Sequence, residues 1–182
     1  MTDLAAAAPV PGPRRADLAF MRRHPARWIA LGFGSGLAPW APGTVGTLWA
    51  WASFLVLDRW LDASGWAFLL AGSLAIGWWA CARTARDLGI ADPGQIVWDE
   101  IVAFWAVLWL VTPAGFWAQA LAFGLFRYFD AVKPGPVGWA DRLHEHSTSP
   151  WVTGWGILFD DLVAAGCTLV VIAAGMAIGR AW

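Results

Sequence analysis

The stretch Asp92-Pro-Gly-Gln-Ile-Val-Trp-Asp-Glu-Ile-Val-Ala-Phe-Trp-Ala-Val-Leu-Trp-Leu-Val111 decides how this chain is read. Asp92 is a favoured N-cap residue and Pro93 suits a first helical position, which predicts a helix opening at Pro93. Asp99 and Glu100 stand at its surface end, and the uncharged run Ile101–Val111 carries it into an apolar medium. The same placement recurs: Asp130 closes the run Phe116–Phe129, and Asp160-Asp161 opens Leu162–Gly179. Charge held against a membrane is costly and usually functional. Carboxylates that converge hold a hard cation, and such a cation commonly handles phosphate.

The rest of the composition agrees with an apolar environment. Of 182 residues 59% are apolar and only 14% charged, with 16 tryptophans, and the mean hydropathy is +0.55. A soluble domain this apolar needs an unusually large core for its size, so the chain reads as an integral membrane protein. Tryptophan favours the headgroup level, where the ring is buried and the N–H stays wet. A net charge of −1 argues against a nucleic-acid partner. Cys81 and Cys167 lie inside apolar stretches and read as packing residues, with no disulfide framework.

Residues 1–24 are rich in Ala, Pro and Arg and read as a basic, poorly ordered tail; residues 25–182 read as one membrane domain. A Gly- and Pro-rich loop, Gly32–Thr47, precedes apolar segments at about 44–57, 66–82, 101–111, 114–126 and 162–179. Only 66–82 and 162–179 approach the ~20 residues that span a bilayer, so the other three tilt, borrow flanking residues or re-enter. The expected fold is all-α, a polytopic helical membrane protein with about 3–5 membrane-embedded segments. If the turns at 58–65 and 112–115 share the far side, every Lys and Arg except Arg59 and Arg180 falls on the opposite face. The positive-inside rule makes that face cytoplasmic, and all five carboxylates fall on it too.

The candidate chemistry follows from these residues. Asp99, Glu100, Asp130, Asp160 and Asp161 form a candidate Mg²⁺ ligand and catalytic set, because a cation is the simplest way to keep adjacent carboxylates ionised near lipid. The competing reading is helix capping at the interface. Arg127 and Lys133, the sole lysine, suit phosphate oxygens, the guanidinium as a fork and the ammonium as a point charge. Arg142 is a further candidate, and anchoring to anionic lipid is the alternative role for all three. Ser35, Thr44 and Thr47 offer hydroxyls in a loop whose backbone N–H groups suit a phosphate. The loop lacks a Gly-Lys-Ser/Thr ending, which argues against a nucleotide P-loop. His144-Glu145-His146 reads as a solvated polar loop rather than a metal site.

Four blocks carry a resemblance: Gly34-Ser-Gly-Leu-Ala-Pro-Trp-Ala-Pro-Gly-Thr-Val-Gly-Thr47, Ile96-Val-Trp-Asp-Glu-Ile101, Phe126-Arg-Tyr-Phe-Asp-Ala-Val-Lys-Pro134 and Asp160-Asp161. In this order they resemble the bacterial phosphatidylglycerophosphatase A family. The resemblance implies a Mg²⁺-dependent lipid phosphatase of the bacterial inner membrane, converting phosphatidylglycerophosphate to phosphatidylglycerol and phosphate with its site facing the cytoplasm. Lys133-Pro-Gly-Pro-Val-Gly-Trp139 departs from the family's Lys-Pro-Trp-Pro pattern, and the stretch from Asp141 to Asp160 is longer than usual. Attack by water and a covalent aspartyl-phosphate are both open. Another lipid phosphate, such as phosphatidic acid, is the alternative substrate. A non-enzymatic membrane protein is the reading from a different class, although the apolar runs carry no charges that would mark a translocation path.

Overall fold

A computed structural model describes residues 15–90, 92–143, 147 and 149–180. The described residues are helical and turn-like, with no strand among them. In order they form α1 (Leu18–Arg22), α2 (Pro25–Ala30), a 3₁₀ segment (Gly32–Leu37), α3 (Pro42–Leu57), α4 (Ala63–Leu88), α5 (Trp98–Val111), α6 (Phe116–Val132), α7 (Pro136–Arg142) and α8 (Pro150–Arg180). The all-α expectation therefore holds. Two helices, α4 and the Pro150–Ile178 part of α8, are long and apolar enough to cross a membrane, fewer than the three to five segments expected. The shorter α3, α5 and α6 run roughly 21–26 Å at the helical rise, which explains why length alone does not mark them as spans.

The centre is α5. Ile101, Val102, Ala103, Phe104, Val107 and Leu108 are all buried, so this helix is apolar on every side and other helices enclose it. Helix α8 packs along α4, α5, α6 and α7, and α3 packs on α5. Gly154 lets α8 approach α4 closely: a Cβ there would stand 2.7 Å from the Ala82 backbone nitrogen.

The tryptophans divide between two roles. Trp40, Trp60 and Trp117 are more than four-fifths exposed, as interface residues should be, whereas Trp66, Trp98 and Trp105 are buried. Each buried indole finds a partner: Trp66 donates to Asp58 at 3.0 Å, Trp98 to the Ser73 carbonyl at 3.0 Å, and Trp105 to the Ala50 carbonyl at 3.0 Å. An unpaired N–H in an apolar interior costs about 1–3 kcal/mol, so these bonds hold α3, α4 and α5 in register.

Two local expectations change. The helix predicted from Pro93 opens at Trp98 instead. Residues 93–97 bond elsewhere: the Gln95 amide pairs with both the N–H and the carbonyl of Ala16, and the Val97 N–H reaches the Ala30 carbonyl at 2.9 Å. Tertiary hydrogen bonds thus take groups that a first helical turn would have used. Within the stretch read as a tail, residues 1–14 lie outside the described residues, but residues 15–24 are structured. Asp17 caps α1, Met21 is buried, and Arg15 donates to the Pro39 carbonyl at 3.0 Å. The packed body therefore extends N-terminal to residue 25.

Candidate active site

Three helices bring carboxylates to one end of the bundle. The first turn of α5 carries Asp99 and Glu100, the last turn of α6 carries Asp130, and α8 supplies Asp160 and Asp161 after its first three turns. Oxygens of Asp99, Glu100 and Asp161 all lie within 4.8 Å of one another. Like charges at that distance repel by on the order of 3 kcal/mol per ionised pair at an effective dielectric of about 20. Burial aggravates this, since Glu100 and Asp161 are 9% and 3% exposed.

Asp130, in the last turn of α6, accepts a hydrogen bond from Arg127. The same guanidinium lies 3.7 Å from Glu100 and 3.4 Å from the Thr47 hydroxyl. Arg127 and Asp130 are three residues apart on α6, which puts them on one flank and makes their pairing local.

Asp160 faces a different neighbourhood from Asp161, as adjacent helical residues must, being about 100° apart around the axis. It accepts from the Lys133 ammonium, which also donates to Asp141. Lys133 ends α6 in the left-handed conformation (φ 49°, ψ 50°), which costs about 1–2 kcal/mol for a residue other than glycine. Burial disfavours its charge, yet the hydrogen bonds to Asp141 and Asp160 outweigh that and hold Lys133 above the usual lysine range. It is therefore a fixed positive charge rather than a base.

The N-terminal turn of α3 closes the site. A Cβ on Gly43 would collide with the Glu100 carboxylate and stand 3.2 Å from both terminal nitrogens of Arg127, so a larger residue here would force those two side chains to shift. Thr47 is buried and donates to the Gly43 carbonyl at 2.8 Å, and Thr44 is half-buried one turn before it. Ser35 donates to the Gly32 carbonyl at 2.8 Å and has no contact with the carboxylates among the described residues. Arg142 lies exposed at the end of α7, and His144-Glu145-His146 lies outside the described residues.

The donor set suits a hard cation. Among the described residues, Asp99 Oδ1, Glu100 Oε2, Asp160 Oδ1 and Asp161 Oδ2 are buried oxygens without a hydrogen-bond partner. A buried carboxylate oxygen left unpaired costs more than a neutral group, and several facing one another are what an oxygen-coordinated divalent ion requires. Sequence reasoning missed two residues here. Gly43 gave a composition signal only as one of many small residues, and Asp141 lies eight positions after Lys133 across a Pro-Gly-Pro turn that hides any periodicity. The turn and the short α7 bring it back to the ammonium.

A guanidinium and an ammonium beside carboxylates that suit a hard cation are the groups that handling a phosphate calls for. Sequence comparison narrows this. Residues 28–176 match the sequence model of the phosphatidylglycerophosphatase A family, and the chain belongs to that family of phosphatases. It is 38% identical to phosphatidylglycerophosphatase A of Escherichia coli (strain K12) over 176 residues, covering 93% of this chain and 94% of that protein. The Haemophilus influenzae phosphatidylglycerophosphatase A is 37% identical over 150 residues, 82% of this chain and 87% of that one. A putative phosphatidylinositol-3-phosphatase of Bacteroides thetaiotaomicron is 33% identical over 152 residues, 80% of this chain and 89% of that one. No solved structure matches the chain.

Proposed function

We propose that this protein is a Mg²⁺-dependent phosphatase that hydrolyses phosphatidylglycerophosphate to phosphatidylglycerol and phosphate in phospholipid biosynthesis. The observation that carries the reading is the set of buried, partnerless oxygens on Asp99, Glu100, Asp160 and Asp161 beside Arg127 and Lys133. Two relatives named for this activity, matched over most of their length, support the substrate.

Asp99, Glu100 and Asp161 are the residues to hold the ion, with Asp130 and Asp160 at its margin. When bound, Mg²⁺ supplies neutralising charge and polarises the phosphoryl group. The chain's own groups do the rest. Arg127 offers a planar fork to phosphate oxygens and is kept in orientation by Asp130 and Glu100. Lys133 holds a permanent positive charge where negative charge develops in the transition state. The start of α3 meets the same region through Gly43 and Thr47, and the N–H groups of a helix start, with the Thr44 and Thr47 hydroxyls, suit a phosphate oxygen. Ser35 would act only through the loop that carries it.

The setting is a membrane. Helices α4 and α8 cross it, and α3, α5 and α6 are embedded beside them, giving a multi-pass protein of the bacterial inner membrane. The excess of Lys and Arg at the carboxylate end turns the site toward the cytoplasm, at the depth of a lipid headgroup. The test is phosphate release from phosphatidylglycerophosphate in detergent micelles, with Mg²⁺ or with chelator, beside Asp99→Asn. Release that needs Mg²⁺ and is lost in the variant is expected. No release by folded protein, with turnover of phosphatidic acid or a phosphoinositide instead, would move the assignment to another lipid phosphate.

A further inference from the structure

Two helix starts meet at the candidate site, and neither is capped by its own side chain. Helix α3 begins after Ala41, which is held in the left-handed conformation (φ 44°, ψ 56°), and α5 begins after Val97. Neither of these residues has a side chain that can accept from the first turn, the bond that ordinarily fixes a helix start. Yet these two turns bring Gly43 against Glu100, the contact by which α3 reaches the carboxylates.

The N-terminal stretch ties both lead-ins together. Arg15 donates to the carbonyls of Ala38 at 3.4 Å and Pro39 at 3.0 Å, just before α3. Ala16, the next residue, exchanges two hydrogen bonds with the Gln95 side chain, just before α5. Its N–H donates to Oε1 at 2.7 Å, and its carbonyl accepts from Nε2 at 3.0 Å. The lead-in to α5 is close-packed beyond that point. A Cβ on Gly36 would overlap the Gln95 carbonyl, and one on Gly46 of α3 would stand 2.8 Å from Val97 Cβ. Val97 is fully buried, so a displacement of Gln95 is passed through Val97 to the first turn of α5, where Asp99 and Glu100 sit.

We propose that Arg15, Ala16 and Gln95 form a clamp that sets the spacing of the α3 and α5 starts and so holds Glu100 in register with Asp99 and Asp161. Gln95 and Arg15 are thereby positioning residues, acting through the two helix starts. The clamp rests on the ion-dependent phosphatase reading above, as the means by which its ligands are held. Two adjacent residues reaching two separate lead-ins do what a cap on each helix would do singly, and they also fix one start relative to the other.

The test uses the full-length purified protein in detergent. Gln95→Met keeps the length and bulk of the side chain and removes both hydrogen bonds. The matched control is Gln119→Met at the opposite end of the bundle, where the amide likewise accepts one bond, from Trp51 at 2.7 Å, and donates one, to the Ala114 carbonyl at 2.9 Å. Two quantities are read: the Mg²⁺ concentration giving half of the Mg²⁺-induced rise in Tm, measured without substrate, and kcat and KM on phosphatidylglycerophosphate. Gln95→Met should raise the Mg²⁺ midpoint about tenfold, the most that two such bonds can couple, and lower kcat by a similar factor with KM unchanged. Gln119→Met should lose as much Tm in chelator and leave the Mg²⁺ midpoint and kcat at wild-type values. Arg15→Ala, a change at an exposed side chain, should move the midpoint in the same direction by a few-fold. An unchanged midpoint in Gln95→Met, or an equal shift in Gln119→Met, would overturn the clamp. If Gln95→Met does not fold, an unchanged midpoint in Arg15→Ala would overturn it alone. Wild type that Mg²⁺ stabilises but that releases no phosphate would overturn the substrate assignment, with the clamp still decided by the midpoints. Wild type that Mg²⁺ does not stabilise would overturn the ion site that the clamp serves.

Discussion

Asp161→Asn should make the ion-free protein more stable while destroying its activity. In the folded chain the Asp161 carboxylate lies within 4.8 Å of both Asp99 and Glu100. Each ionised pair repels by on the order of 3 kcal/mol. Arg127, next to Glu100 and Asp130, offsets part of this. A net gain of about 1–2 kcal/mol is the reasonable residue, equivalent to roughly 2–8 °C in Tm for a protein of this size. The wild type should recover the difference when Mg²⁺ binds, because a ligand at a hundredfold excess over Kd stabilises by about 2.7 kcal/mol. The variant, lacking a ligand oxygen charge, should gain little. The assay is thermal unfolding in detergent, with chelator and then with Mg²⁺, beside phosphate release on the same samples. The order of the two Tm values should invert between the two conditions. A variant that is less stable than wild type in chelator, or that gains as much from Mg²⁺, would refute the idea that these three carboxylates share one ion.

The neighbouring position should behave oppositely: Asp160→Asn removes a partner of Lys133, and because that ammonium is 26% exposed the loss of stability should be about 1 kcal/mol or less, read from the same unfolding curves in chelator. Asp141→Asn should loosen Lys133 without touching the carboxylate triad, lowering kcat/KM about tenfold while Asp141→Glu restores most of it; an unchanged rate would show that Lys133 needs no positioning by α7. Gly43→Ala should cost about a hundredfold in turnover by pushing Glu100 and Arg127 apart, whereas Gly94→Ala, where a Cβ meets nothing within 4 Å, should stay within a few-fold of wild type.

Much of the architecture was legible along the chain because it depends on local pattern. Uninterrupted apolar runs located α3 to α6 and α8, and Pro134-Gly135-Pro136 marked where α6 gives way to α7. The start of α5 was misjudged. Asp92-Pro93 carries the local marks of a helix start, but Gln95 and Val97 bond to Ala16 and Ala30, residues far off in sequence. Ordering of residues 15–24 was missed for the same reason: a short basic stretch shows no apolar run, and its fixing comes from Gln95 and the Pro39 carbonyl.

The sequence by itself determined that the protein is helical and apolar, that Asp99, Glu100 and Asp130 sit at the ends of apolar segments, and which family motifs surround them, whereas Asp160 and Asp161, read as opening Leu162–Gly179, lie about three turns inside α8. Chain-local quantities (hydropathy, proline and glycine placement, charge bias) are sufficient for those. Only the tertiary structure decided how the carboxylates divide, with Asp99, Glu100 and Asp161 facing one another, Asp130 held by Arg127, and Asp160 held by Lys133 and thereby linked to Asp141. Which charges become neighbours depends on helix rotation and on the closeness of backbones such as Gly43 against Glu100. Those are set by side-chain packing between segments distant in sequence, and packing leaves no periodic trace along the chain.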